Sequence, residues 1–180
     1  MPKVIYYVAA SLDGHIADAE GGVDWLNQYE QHGNDYGYAE FYKCLDAVVM
    51  GSKTYMDIHG FGTGWVYPDV EAVVLTHRSD LPTFKEAPQI RFAQGDVKAI
   101  IDEMRTRLVK DIWLVGGGDL AAQFLKAKVL DEIQLTTMPV LLGDGTPLLP
   151  PLDTRYPLKM TAHKIYDNGV VQATYTVQHG

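Results

Sequence analysis

Short apolar runs alternate with amphipathic stretches along most of the chain. Runs rich in β-branched and aromatic residues are typical of buried strands, and they cover residues 4–10, 47–50, 72–76, 90–93, 112–115 and 132–137. Between them, apolar residues three and four positions apart predict helices over 35–45, 96–108 and 120–127, with a short helix after residue 54. This alternation predicts an α/β fold in which helices cover both faces of a mainly parallel central sheet.

The C-terminal part of the chain does not follow this alternation. Two strand-like runs, 159–166 and 170–177, flank Asp167-Asn168-Gly169, and Asn-Gly is a strong signal for a tight hairpin. The sheet should therefore end in an antiparallel pair. The proline-rich stretch 147–157 is interpreted as a surface connection, so residues 1–180 are expected to form a single domain.

Charge, cysteine content and histidine spacing exclude several classes of function. A net charge of −8 argues against DNA or RNA as the partner, and a phosphate-bearing ligand would need a local basic patch. Cys44 is the sole cysteine, which excludes disulfides within the chain; it is expected to fill the core on a helix beside Leu45. The histidines lack metal-ligand spacing, and no apolar stretch reaches membrane-spanning length. We therefore expect a cytoplasmic protein without a metal or a membrane partner.

Three consecutive glycines between a predicted strand and a predicted helix are the strongest candidate site. The stretch Gly116-Gly117-Gly118-Asp119-Leu120-Ala121 formally matches the dinucleotide fingerprint G-x-G-x-x-A. A turn without side chains lets a phosphate approach the backbone amides and the positive end of the helix dipole. The motif lies late in the chain and no acidic residue closes the next strand, so phosphate contact is predicted without a Rossmann fold. The alternative is a tight turn that binds nothing.

Two further junctions carry polar residues where a predicted strand ends. Gly51-Ser52-Lys53-Thr54 is not a P-loop, because Lys53 does not follow the glycine directly. Leu75-Thr76-His77-Arg78-Ser79 could hold an isolated phosphate through its cation and hydroxyl donors. Helix capping and a solvated turn are the respective alternatives. Because the carboxyl ends of parallel strands share one edge, the three junctions together predict an extended phosphorylated cofactor.

Asp35 is the candidate acid. It lies three residues before Tyr38 and seven before Tyr42, which predicts an inward position on the helix 35–45. Burial there would raise its pKa towards that of a useful proton donor. The alternative is an exposed acid at the helix start, favoured by the helix dipole.

The order of five motifs resembles the dihydrofolate reductase superfamily. The motifs are VAASLDGHIA from Val8, VVMGSKTY from Val48, VGGG from Val115, DEIQLT from Asp131 and PVLLG from Pro139. The first and last of them are similar to the reductase domain of the bifunctional riboflavin-biosynthesis enzyme and its stand-alone relatives. The resemblance covers nearly the whole chain and implies a dihydrofolate-reductase-like three-layer fold. It also implies NADPH as the cofactor.

The resemblance assigns roles to individual residues. It implies that Ala10 and Ile16 contact the nicotinamide, with a cis peptide bond between Gly116 and Gly117. The implied pyrophosphate contacts are Gly51, Ser52, Lys53, Thr54, Gly116, Gly117, Gly118, Asp119 and Leu120, and those near the adenosine 2′-phosphate are Leu75, Thr76, His77 and Arg78.

Substrate residues are implied in the same way. Asp13, Trp25, Tyr38, Tyr42 and Thr136 would face the substrate. Asp35 stands sixteen residues before Gly51, which is the spacing of the pterin-binding carboxylate, and Glu40 is the alternative acid. Residues 56–62 depart from the riboflavin enzyme, which puts recognition of its ribosyl phosphate in question. The riboflavin-type relatives also imply a homodimer, for which the apolar edge 170–177 is the candidate strand.

These observations predict an NADPH-dependent reductase that transfers hydride to a C=N or C=O carbon of a small heterocyclic substrate resembling a pteridine or pyrimidine. The resemblance implies an activity similar to that of dihydrofolate reductase or 5-amino-6-(5-phosphoribosylamino)uracil reductase. A non-catalytic nucleotide-binding module on a reductase scaffold is the alternative. A nucleotide-hydrolysing P-loop protein is disfavoured because the Gly-Lys pair is missing.

Overall fold

A computed structural model describes residues 1–30, 33–87 and 89–179. The strands are β1 (Val4–Ser11), β2 (His15–Ala17), β3 (Leu45–Gly51), β4 (Glu71–Leu75), β5 (Arg91–Ala93), β6 (Asp111–Gly116), β7 (Glu132–Met138), β8 (Thr146–Pro147), β9 (Leu158–Ile165) and β10 (Val171–Val177). The helices are a 3₁₀ helix (Asp24–Tyr29), α1 (Tyr38–Lys43), α2 (Ser52–Gly60), α3 (Val97–Arg107) and α4 (Gly118–Lys126).

One large sheet organises the molecule. Its strand order is β5-β4-β3-β6-β1-β7-β10-β9, and the strands from β5 to β7 pair in parallel. Strand β10 pairs antiparallel with both β7 and β9, and Gly169 makes the hairpin turn at a φ of +85°. The predicted α/β fold with a C-terminal antiparallel pair is therefore confirmed.

The sheet is apolar on both faces, which explains the continuous hydrophobic runs in its central strands. Tyr6 and Leu114 pack on one face with Phe124 of α4 and Ile101 of α3. The other face holds a second cluster that includes Trp113, Phe41 of α1 and Tyr55 of α2. Neighbouring residues of a strand thus belong to different clusters, as the pleat requires.

Strands β1 and β6 separate towards their carboxyl ends. They pair over three residues each, from Val4 to Tyr6 and from Ile112 to Leu114. Beyond this point β1 runs on to Ser11 beside β7, whereas β6 runs on beside β3. A gap therefore opens in the middle of the sheet, at the edge where the predicted junctions lie.

Three predicted details are wrong. Helix α1 begins only at Tyr38, because Gly37 precedes it at a φ of +84°. The helix ends at Lys43 and β3 begins at Leu45, so Cys44 is turned outward and exposed instead of filling the core. Strand β10 is not an edge, since it pairs on both sides, and β9 forms the outer edge of the sheet. The short strands β2 and β8 and the 3₁₀ helix were not predicted.

Candidate functional site

A cleft with a cavity volume of about 1040 Å³ lies at the carboxyl edge of the sheet. This is large enough for a cofactor-sized ligand. All three predicted junctions line it, through Gly51, Ser52, Lys53, Thr54, Leu75, Thr76, His77, Gly116, Gly117, Gly118, Asp119 and Leu120. Strands β4, β3, β6 and β1 are consecutive neighbours, so the row of strand ends spans about 14 Å at the usual spacing.

The glycine junction has a backbone that side chains would obstruct. Gly117 has φ +45° and ψ 145°, and its carbonyl accepts the first hydrogen bond of α4, from Ala121. A Cβ on Gly118 would lie 2.8 Å from the carbonyl oxygen of Leu148, which is too close for any other residue. The implied cis peptide between Gly116 and Gly117 is wrong: described peptide bonds are trans, and the positive φ of Gly117 makes the turn instead.

Helices α2 and α4 begin at the cleft and have uncapped N-termini. Neither receives a side-chain capping hydrogen bond from a described residue. Helix α3 also begins at the cleft, where Val97 is a lining residue, but it is capped, because the Asp96 carboxylate accepts a hydrogen bond of 2.9 Å from the amide of Lys98. The free amides of α2 and α4 are therefore available to an anion in the cleft.

Lys53 and His77 are the cationic or protonatable nitrogen side chains among the described residues that line the cleft. Lys53 is exposed on the first turn of α2 and forms no ion pair with a described residue. Arg78, expected beside them, does not line the cleft: its guanidinium donates two hydrogen bonds of 3.0 Å to Asp80, and this pairing raises its pKa. The bidentate pair holds the guanidinium at the surface.

Aromatic rings form one wall where β1 and β6 separate. The ring centroids of Tyr7, Tyr38 and Trp113 lie 5.8 to 6.4 Å apart, and all three residues line the cleft. The Tyr7 hydroxyl donates to the carbonyl of Tyr36 at 3.3 Å, and burial raises the pKa of Tyr7 to about 12. Tyr42 stacks behind Tyr38 and does not itself line the cleft. The wall is thus aromatic and uncharged at neutral pH.

The other wall comes from β2 and the segment that leads into the 3₁₀ helix. Ile16 lines it, as the resemblance implies, together with Val23, Asp24 and Leu26, which sequence reasoning missed. The Asp18 carboxylate accepts a hydrogen bond of 2.6 Å from the amide of Gly22 and so closes the intervening loop. In the sequence, the pair Gly21-Gly22 shortly after Asp18 was the pattern that could have predicted this turn.

Several predicted contact residues do not line the cleft. Ala10 is 1% exposed, because the strand alternation turns Ala9 towards the cleft instead. Thr136 is 3% exposed, and its hydroxyl accepts a hydrogen bond from Gln172. Trp25 packs against the cluster around Tyr36, and its buried indole nitrogen has no described partner.

Asp13 braces a turn and does not line the cleft. Its carboxylate accepts hydrogen bonds from the Ser11 hydroxyl at 2.6 Å and from the amides of Leu142 and Gly143 at 3.1 and 2.7 Å. These bonds, the Ser11 hydroxyl foremost, hold the pKa of Asp13 far below its usual range. Its role in the structure is to tie the end of β1 to the segment before β8.

The inward position predicted for Asp35 is wrong. The residue precedes α1 and is exposed, and its carboxylate accepts hydrogen bonds of 2.9 Å from the amides of Ala39 and Gly37. These bonds, that of Ala39 foremost, lower its pKa instead of raising it. Glu40 is also exposed and pairs with Lys43. Neither acid lines the cleft.

The sequence matches the model of the RibD C-terminal domain over residues 2–172. The chain belongs to the RibD C-terminal domain family. It is 32% identical over 168 residues to YwjB of Bacillus subtilis (strain 168), covering 93% of this chain and 94% of that protein.

Solved structures agree with this membership. A Shewanella sp. PV-4 protein whose name assigns it to riboflavin biosynthesis superposes with a TM-score of 0.89 at 26% identity, over 99% of this chain and 100% of its own. Dihydrofolate reductase from Enterococcus faecalis, complexed with NADP(H) and RAB-propyl, superposes with a TM-score of 0.69 at 18% identity. The match covers 98% of this chain and 97% of that chain. The second likeness shows that this RibD-type chain has the dihydrofolate-reductase-like fold.

The described residues contain no group of His, Cys, Asp or Glu side chains arranged to hold a metal ion. Among these same residues no helix has the length and apolar character needed to cross a membrane.

Proposed function

We propose that this protein is an NADPH-dependent reductase that acts on a C=N or C=O bond of a small pyrimidine- or pteridine-like heterocycle. The observation that carries the proposal is the meeting of three junctions, two with uncapped helix N-termini, along one cleft. The RibD family and the dihydrofolate reductase likeness support it.

The amides of the first turns of α2 and α4 would hold the pyrophosphate, and Lys53 and His77 would donate hydrogen bonds to it and to the 2′-phosphate. NADPH supplies the hydride when bound. The aromatic wall and the wall bearing Ile16 would orient the substrate ring and exclude water from one side. The nitrogen or oxygen of the reduced bond also takes up a proton, and Asp35 and Glu40, which lie outside the cleft, cannot supply it directly.

NADPH titration tests the cofactor proposal directly. Binding should quench the fluorescence of Trp113, which lines the cleft. Lys53→Gln should raise the dissociation constant for NADPH by about tenfold, since a charge-assisted hydrogen bond contributes about 1.5 kcal/mol. Lys159→Gln is the matched control, because Lys159 is exposed on β9 away from the cleft and its loss should leave binding unchanged. No binding of NADPH at high micromolar concentration would contradict the proposal.

A second candidate is a nucleotide-binding module that has lost turnover. The position of Asp35 and Glu40 outside the cleft favours it, because the site then lacks the carboxylate that the resemblance implies. The two candidates differ in one measurement: a reductase oxidises NADPH in the presence of pterin, pyrimidine or carbonyl substrates, whereas the module binds NADPH and leaves it reduced.

We also infer a homodimer, formed through β9 and not through β10. Strand β9 is the outer edge of the sheet, and all eight of its residues are exposed. An edge with free amides and carbonyls can pair with its own copy about a two-fold axis.

A further inference from the structure

Charge is unevenly distributed along the cleft. Lys53 and His77 lie at the ends of β3 and β4, whereas the aromatic wall lies on β1, β6 and α1. In the strand order, β6 stands next to β3, and β1 follows β6. Both basic side chains therefore lie at the side of the cleft where the three junctions would take the cofactor phosphates, and no other lysine, arginine or histidine lines the cleft within the described ranges.

Acidic side chains line the same cleft. Asp24, Asp57 and Asp119 are lining residues, and none of their carboxylates has a hydrogen bond or ion pair to a described residue. The described lining thus contains three unpaired carboxylates but one lysine and one histidine. A bound dinucleotide adds its own negative phosphates, so an anionic substrate would enter a cleft of like charge.

Recognition of a phosphate or carboxylate on a substrate needs arginine or lysine side chains or free amides. The described lining places Lys53 and the uncapped N-termini of α2 and α4 at the junctions, where the cofactor would use them, and no lysine or arginine beside the aromatic wall. That wall instead offers the aromatic rings of Tyr7, Tyr38 and Trp113, which are tilted or edge-on to one another and can pack against a planar ring by face or edge. The unpaired carboxylate of Asp24, on the wall bearing Ile16, can accept hydrogen bonds from ring N–H or amino groups.

Resting on the reductase function proposed above, we infer that the substrate is a planar heterocycle with N–H donors and without a phosphate or carboxylate group. The inference narrows the substrate class to the unphosphorylated form of the ring system. It also assigns Asp24 as a residue that determines specificity.

Matched ligand pairs test the inference on the full chain saturated with NADP⁺. One pair is 5-amino-6-ribosylaminouracil and its 5′-phosphate; the other is 6-hydroxymethyl-7,8-dihydropterin and dihydrofolate, which carries a glutamate. Isothermal calorimetry gives the dissociation constant of each. We expect the member without an anionic group to bind at least about tenfold more tightly in at least one pair and not more weakly in the other.

The Asp24→Asn variant gives an independent readout. Removing this carboxylate should weaken the uncharged ligand and reduce the preference for it over its anionic partner by about threefold or more. Asp167→Asn, in the exposed hairpin turn, is the matched control and should change neither value.

The outcomes separate the two proposals. If NADP⁺ fails to bind, the reductase proposal itself is contradicted. If NADP⁺ binds but neither pair shows the tenfold preference, or an anionic member binds more tightly than its partner, the charge inference is overturned and the reductase proposal stands. Failure of all four ligands to bind at millimolar concentration to the NADP⁺ complex also overturns the charge inference.

Discussion

At the scale of single residues, the aspartates differ in whether their carboxylates accept hydrogen bonds from described residues. Asp13 and Asp35 are committed to backbone amides in turns, whereas Asp24 has no described partner. Sequence spacing could place Asp35 near a helix but could not show that Gly37 delays the helix start. The exposed position of Asp35, outside the cleft, therefore depends on the positive φ angle of Gly37.

Replacing Asp13 by asparagine should destabilise the protein in a pH-dependent manner. The hydrogen bonds from the Ser11 hydroxyl and two backbone amides hold the pKa of Asp13 in the folded protein well below its ordinary range. Its ionised form therefore stabilises the fold above about pH 4, and this contribution is lost as the pH falls through the folded-state pKa. Urea unfolding should show Asp13→Asn to be less stable than wild type at pH 7, with a smaller difference at pH 3.

Asp24→Asn is the control for this experiment, because it removes a carboxylate without a described partner. It should show no comparable loss of stability at pH 7. Equal destabilisation by both variants would contradict the bracing role of Asp13.

At the scale of elements, the central strands β1, β3, β4 and β6 could be predicted because each is buried on both faces and its sequence is an apolar run. The junctions could be predicted for a related reason, since glycines and hydroxyls at strand ends are visible without a structure. Strands β2 and β8 could not, because they have three and two residues and no period to detect. The contribution of Tyr7 and Trp113 to the cleft wall was also hidden, since it depends on where β1 and β6 separate.

The start of α4 packs closely against the end of β8 and the residue that follows it. Gly118→Ala should lower the free energy of unfolding by about 1 to 3 kcal/mol, since its Cβ would press against the carbonyls of Leu148 and Pro147. Gly51→Ala is the contrasting variant: Gly51 has φ −84° and open space around its Cβ position, so stability should hold while the added methyl group weakens NADPH binding. Thermal unfolding of both variants measures the effect on stability, and NADPH titration measures the effect on cofactor binding.

At the scale of the whole molecule, the exposed edge strand β9 determines the expected assembly. Met160 is 53% exposed at its centre. Met160→Lys should shift the protein from dimer to monomer in sedimentation velocity, because charged residues on an edge oppose strand pairing. Val109→Lys, at an apolar position that is 88% exposed and distant in sequence from β9, should leave the dimer intact. A monomeric wild-type protein at micromolar concentration would contradict the assembly.

The separation of β1 and β6 divides the sheet into two halves of four strands. One half, β5-β4-β3-β6, is a continuous central segment of the chain, and the other, β1-β7-β10-β9, is built from both ends of it. Three residue pairs of strand ladder join the halves. A ligand bound in the gap would contact both halves of the sheet, so it would add contacts between them to the three residue pairs. The two halves should therefore unfold as one unit when the ligand is bound.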